Sequence, residues 1–122
     1  MSAPLGRIII YTKKIDEMAA FYARHFGYSV HRDPEDRLVA LEPPGAGAAL
    51  YLHPAGQRQK DGQVMVKLVF DVEDVDAFCA EAAKAGLTFA RPFKADGYTF
   101  ANAKDPAGNS ISVSSRAFRG RI

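Results

Sequence analysis

Apolar residues follow two rhythms along this chain, a tight β-branched run and then a helical spacing. Ile8, Ile9, Ile10 and Tyr11 form a compact run that predicts a strand. Ile15, Met18, Ala19, Tyr22 and Phe26 then recur at intervals that place them on one side of a helix. Asp16 and Glu17 lie in the first turn of that helix, Arg24 and His25 in its last, each complementing the helix dipole. Gly27 supplies the stop, because glycine accepts the left-handed geometry that ends helices. Three strands are expected after it, at 28–32, 37–42 and 48–53, divided by the turns Asp33-Pro34-Glu35-Asp36 and Pro43-Pro44-Gly45.

The second half repeats the scheme. A strand is expected over 64–72, followed by Asp74 as a helix N-cap. Val75, Phe78, Cys79, Ala82 and Ala83 then form the apolar stripe of a second helix, which Gly86 ends. Strands are expected at 87–91, 98–103 and 109–115, with turns at Ala95-Asp96-Gly97 and Asp105-Pro106-Ala107-Gly108. At one constant offset Ile8 falls on Leu68, Ile10 on Phe70, Ile15 on Val75, Met18 on Phe78 and Ala19 on Cys79. One residue of slippage brings Leu50 onto Ile111 and Leu52 onto Val113. The chain therefore reads as a duplicated strand–helix–three-strand unit, roughly 5–54 and 63–115, within a single domain spanning 1–122. The polar stretch 55–62 connects the two units, and it suits either their joining within one chain or their pairing across a dimer.

Composition narrows the class. The 122 residues suit one domain, and 48% hydrophobic with 25% charged residues suits a globular protein. A net charge of +2 gives no reason to expect nucleic acid or a membrane surface as partner. The locally basic stretch from Arg116 to Ile122 reads as a solvated end. Cys79 is the single cysteine, so no internal disulfide forms. With no long apolar segment near Met1, a cytoplasmic location is expected.

Several stretches resemble the vicinal oxygen chelate superfamily, which groups glyoxalase I, bleomycin-resistance proteins and extradiol dioxygenases. They are Ile15-Asp16-Glu17-Met18-Ala19-Ala20-Phe21-Tyr22 running to Phe26-Gly27-Tyr28, and Asp105-Pro106-Ala107-Gly108-Asn109 ahead of Ser110-Ile111-Ser112-Val113. The first is similar to the family's opening helix with its Phe-Tyr pair, the second to its Asp-Pro-x-Gly turn before the last strand. The resemblance implies an α+β fold of two βαβββ units whose mixed sheet curls around a cleft, and a homodimer.

In metal-bearing relatives the ligands come from the first and last strands of each unit. Those positions fall here on Arg7, Tyr51, Lys67 and Ser112. Divalent ions take imidazole, carboxylate or thiolate, and an arginine offers no lone pair. A shifted register would bring in His53 or Asp71, yet no set of three or four ligands assembles around them. No metal and no cofactor are therefore expected. Alternation along the strands instead gives a face for a small-molecule ligand, with Arg7, Tyr51, His53, Lys67, Tyr98, Phe100 and Ser112 as candidate contacts. Arg7 and Lys67 suit an anionic group on that ligand; the competing reading pairs them with Glu42 or Asp71.

His53 is the candidate general base. His25 reads as a dipole partner, His31 as an edge-strand residue without a catalytic partner, and Cys79 as a buried, inert thiol. The expected function is a metal-free binding protein of the bleomycin-resistance type. The alternative is a glyoxalase-like lyase, isomerase or dioxygenase with a non-standard site, so whether a reaction is catalysed stays open. A third reading is a module that mainly dimerises or partners another protein.

Overall fold

A computed structural model describes residues 2–120. The chain divides into two compact units, 1–63 and 64–122. Unit 1 runs β1 (Arg7–Thr12), α1 (Ile15–Phe26), β2 (Ser29–Arg32), β3 (Val39–Glu42) and β4 (Ala49–Pro54). Unit 2 runs β5 (Lys67–Asp71), α2 (Val75–Lys84), β6 (Phe93–Lys94), β7 (Thr99–Lys104) and β8 (Ser110–Ser114), then a 3-10 turn, η1 (Arg116–Phe118). The two four-stranded sheets have the orders β1-β4-β3-β2 and β5-β8-β7-β6. In each, the first and last strands of the unit pair in parallel and the other pairs are antiparallel. The architecture is α+β with two βαβββ units.

Register confirms the repeat. Ile8 pairs with Leu50 and Ile10 with Leu52; in the second sheet Leu68 pairs with Ile111 and Phe70 with Val113. These are the residues the sequence overlay matched, and they share the face turned toward the core. In unit 1 that core contains Met18, Ala19 and Tyr22 from α1 with Leu41, Leu50 and Leu52 from the sheet. In unit 2 it contains Val75, Ala82, Leu87, Ala101, Ile111 and Val113. Fully burying a Met, Leu, Ile or Val side chain contributes about 1.5–3 kcal/mol relative to exposure. Ile8, Ile10, Leu68 and Phe70 are only half-buried, because β1 and β5 are edge strands.

The helix ends follow the sequence. Gly27 has φ 74°, and its N–H donates to the Ala23 carbonyl, closing α1. Asp74 caps α2 by accepting from the Ala77 N–H at 3.0 Å. The strand expected at 87–91 is not formed. The Leu87 N–H donates back to Ala82 at the end of α2, and only Ala90 bonds to β7, donating to the Asn102 carbonyl. Pro92, which lacks an N–H, follows, and the short β6 begins after it at Phe93. Residues 64–66 also lie outside the strand expected there, since pairing with β8 begins at Lys67 and Ser110. The 55–62 connector folds against the end of β1. Ala55 donates to the Thr12 carbonyl, and the Lys13 ammonium donates to the Gln57 carbonyl at 3.2 Å.

Candidate functional site

Each sheet turns one face to its core, so alternation decides which side chains lie on the opposite face and are candidates to meet a ligand. On the first sheet the open face carries Arg7, Ile9 and Tyr11 from β1 beside Tyr51 and His53 from β4. Ile9 pairs with Tyr51 and Tyr11 with His53 across the parallel ladder. Ile9 is 45% and Tyr11 50% exposed, high values for large apolar groups on a strand.

Two close contacts between rings or charge and ring organise this face. The Arg7 guanidinium lies 5.2 Å from the centre of the Tyr51 ring, a cation–π arrangement. The Tyr11 and His53 rings are 4.8 Å apart between centres. The His53 Nδ1 lies 2.8 Å from the Pro54 carbonyl oxygen. A carbonyl only accepts, so Nδ1 donates, and the neutral ring keeps its lone pair on Nε2. Among the described residues Arg7 has no carboxylate within ion-pair distance, although Glu42 lies in the same sheet.

The second sheet treats its equivalent positions differently. The Lys67 ammonium donates to the Asn102 side-chain oxygen at 3.1 Å rather than pairing with Asp71. Lys104 donates to the Ser110 hydroxyl at 3.0 Å. Ser112 is 3% exposed, and its hydroxyl donates to the Ala101 carbonyl at 3.0 Å. Ser114 is buried too and accepts from the Arg116 N–H at 3.1 Å. Near β8 this face therefore satisfies its own polar groups. Tyr98 and Phe100, 6.3 Å apart between ring centres, lie toward its other edge beside Phe93.

The candidates thus fall into local groups. Arg7 meets Tyr51, and Tyr11 joins His53 in unit 1. Tyr98 and Phe100 lie together in unit 2, where Lys67 is held by Asn102 and Ser112 spends its hydroxyl on the backbone. Sequence reasoning missed Asn102 as the partner of Lys67. It also missed Arg116 and Arg119, which stack on Tyr98 at 5.2 and 5.6 Å. The signal for the arginines was their basic stretch, but only the fold brings it back over the ring. Arg121 and Ile122, also part of that stretch, lie outside the described residues.

The remaining titratable groups play other parts. Burial, and then the charge of Arg24, push the His25 pKa below its ordinary 6.5. Its neutral form is thereby favoured, which counts against a role as a charged dipole partner. Cys79 is half-buried rather than buried as expected, and desolvation followed by the Asp76 carboxylate raises its thiol pKa. Thiolate is scarce there at neutral pH, in keeping with an inert thiol.

The four positions that the family resemblance assigns to metal ligands do not fit a divalent cation. Arg7 is stacked on Tyr51, Lys67 is a donor bound to Asn102, and the Ser112 hydroxyl is engaged by the backbone. Among the described residues no three His, Cys, Asp or Glu side chains come together as a metal site.

The sequence matches the Glyoxalase/Bleomycin resistance protein/Dioxygenase superfamily over residues 5–113. The chain belongs to that superfamily. No curated protein matches the sequence significantly. Among solved structures of the same fold, UcmS2 is 26% identical, with a TM-score of 0.77 over 94% of this chain and 99% of that one. TnmS3, an antibiotic binding protein from Streptomyces sp. CB03234, is 22% identical, with a TM-score of 0.76 over 92% and 94% of the two chains. Lactoylglutathione lyase from Agrobacterium tumefaciens is 20% identical, with a TM-score of 0.69 over 93% of each. This superfamily fold thus serves both a binding protein and a lyase among these neighbours, and the fold alone does not choose between them.

Proposed function

We propose that this superfamily member binds a small organic ligand on the open face of its first sheet and needs no metal to do so. The observation that carries the reading is the pair of contacts, Arg7 over Tyr51 and Tyr11 tilted against His53, flanking the exposed Ile9. Apolar walls with a few placed polar groups are the usual make-up of a ligand site. Arg7, which has no carboxylate within ion-pair distance among the described residues, adds a planar fork of donors suited to a carboxylate. An aromatic carboxylate matches both features: its ring lies on Ile9 and Tyr51, and its anion meets Arg7. TnmS3 gives a precedent for antibiotic binding on this fold.

Calorimetry and thermal shift with benzoate and 2-naphthoate, each with and without EDTA, test the reading. Saturable stabilisation is expected from 2-naphthoate, unaffected by EDTA. A ligand present at 100 times its Kd adds about 2.7 kcal/mol of stability. Arg7→Ala and Tyr51→Ala should each weaken binding about tenfold or more. Stoichiometric binding of zinc, nickel, iron or manganese, with no response to either carboxylate, would overturn it.

One observation favours a second reading, proton transfer by His53. Its Nδ1–H is committed to Pro54, which leaves Nε2 able to accept a proton from a bound substrate. A lyase or isomerase reaction lost in His53→Gln, with ligand affinity retained, would establish it. We further propose that the chain forms a homodimer and works in the cytoplasm. Support for the dimer comes from the exposed apolar residues Val64, Met65, Val66 and Val69. Support for the compartment is the single cysteine.

A further inference from the structure

The open end of unit 2 carries an arrangement that the sheet-one reading does not use. Phe93 pairs with Phe100 across β6 and β7, with ring centres 5.3 Å apart, and is 61% exposed. Phe100 leads to Tyr98 on the same face. The chain then returns after β8. The Arg116 guanidinium stands 5.2 Å from the Tyr98 ring centre, and its Nη1 donates to the Tyr98 hydroxyl at 3.1 Å. Arg119 adds a second guanidinium 5.6 Å from the same centre.

Gly97 makes room for this approach. A β-carbon built there would stand 3.2 Å from the Arg119 Cγ, and the residue has φ +78°. Two like charges thus share one ring, and among the described residues neither has a carboxylate within ion-pair distance. Mutual repulsion opposes that arrangement. An anion held by both guanidiniums would offset that repulsion. Most of the N–H donors on the two groups are left for it, since Tyr98 takes only one.

We propose that Arg116, Arg119 and Tyr98 form a second binding site, whose ligand is an aromatic phosphomonoester. The two guanidiniums meet the dianion with paired, charge-assisted hydrogen bonds. The row from Phe100 to Phe93 gives the attached ring a surface to stack on, with the apolar side of Phe93 already open to solvent. A carboxylate matches one guanidinium; the three terminal oxygens of a phosphomonoester match two. This site involves none of the residues assigned to the first sheet's face.

The chain has no tryptophan, so an amide and arginine side-chain NMR titration of the full protein is the suitable readout. Phenyl phosphate, inorganic phosphate and phenol are titrated at matched ionic strength. Phenyl phosphate should give saturable shifts at Gly97, Tyr98, Phe100, Arg116 and Arg119. Inorganic phosphate should bind more weakly, and phenol should give no saturable shift at the arginines. Arg116→Gln with Arg119→Gln should weaken phenyl phosphate about tenfold or more. Phenyl phosphate shifts no larger than those from chloride overturn the site, as do shifts undiminished in a folded double variant. If the double variant does not fold, the comparison of phenol with phenyl phosphate on the unaltered chain still decides. Signals from Ile9, Tyr51 and His53 report the first sheet in the same spectra, so the two sites fail or succeed separately.

Discussion

Asp105 shows how one side chain holds a turn. It is buried, and its Oδ1 accepts from the backbone N–H groups of Ala107 and Asn109, both at 2.9 Å. Its Oδ2 accepts from the Asn109 side-chain amide at 3.0 Å. Asp105→Ala would strand buried donors and should cost about 1–3 kcal/mol in urea denaturation; a loss below about 0.5 kcal/mol would show the turn held by other means. The Asp-Pro-x-Gly pattern was legible as a turn in the sequence. The way its carboxylate gathers these donors was not, because it depends on where Asn109 comes to lie. His25 gives a pH-dependent counterpart. Its folded pKa is lowered, so as pH falls below about 6.5 the unfolded chain takes up the proton first. Stability therefore declines from that point, and the decline ends once the folded chain also protonates. Urea midpoints measured from about pH 7 to about pH 5 should fall less steeply in His25→Gln than in the unaltered chain. Equal slopes would assign the pH dependence to other groups.

Helices were the most legible elements, because their stripe, first-turn acids and terminal glycine all agree over Ile15–Phe26. Strands were legible where apolar residues alternate and a neighbour is in reach, as at β4 and β8. The misplaced ones failed on pairing, which no run of side chains declares. Val64 to Val66 look like strand residues but have no strand partner among the described residues. The strand expected at 87–91 gives way to an extended approach with one bond to β7, and true pairing waits until Phe93. The hairpin between β6 and β7 makes a testable case. Its Gly97 combines a left-handed backbone with close packing against the Arg119 stem. Gly97→Ala should therefore destabilise the protein by about 1–2 kcal/mol in thermal or urea unfolding. It should also shift the Arg119 side-chain NMR signal, since the new methyl displaces that stem. An Arg119 signal left unchanged would mean that the tail docks without help from this glycine.

Across the whole chain, the duplicated register coexists with open faces that have diverged. Where β1 offers Arg7, Ile9 and Tyr11, β5 offers Lys67, Val69 and Asp71. The first set is exposed, with Arg7 over the Tyr51 ring; in the second, Lys67 is tied to Asn102 and the β8 neighbours of Val69 and Asp71 are buried serines. The repeat was legible from the constant offset of apolar pairs, whereas this difference was not, because hydrogen bonds to the backbone and to Asn102 decide it. Divergence also leaves unit 2 with an unusual apolar exposure. Met65 is 100% exposed, and Val64, Val66 and Val69 are each more than half exposed. Four large apolar side chains so close in sequence are costly to leave in water, at about 25 cal/mol per Å². A second copy covering them would bury part of the roughly 1,200–2,000 Å² that stable interfaces remove from solvent. Sedimentation equilibrium should accordingly give a dimer, and Val66→Lys with Val69→Lys should shift it to monomer by placing two charges where contact would exclude water. A chain that sediments as a monomer at high concentration would free these residues for a different partner. A dimer that survives both lysines would move the interface elsewhere on the surface.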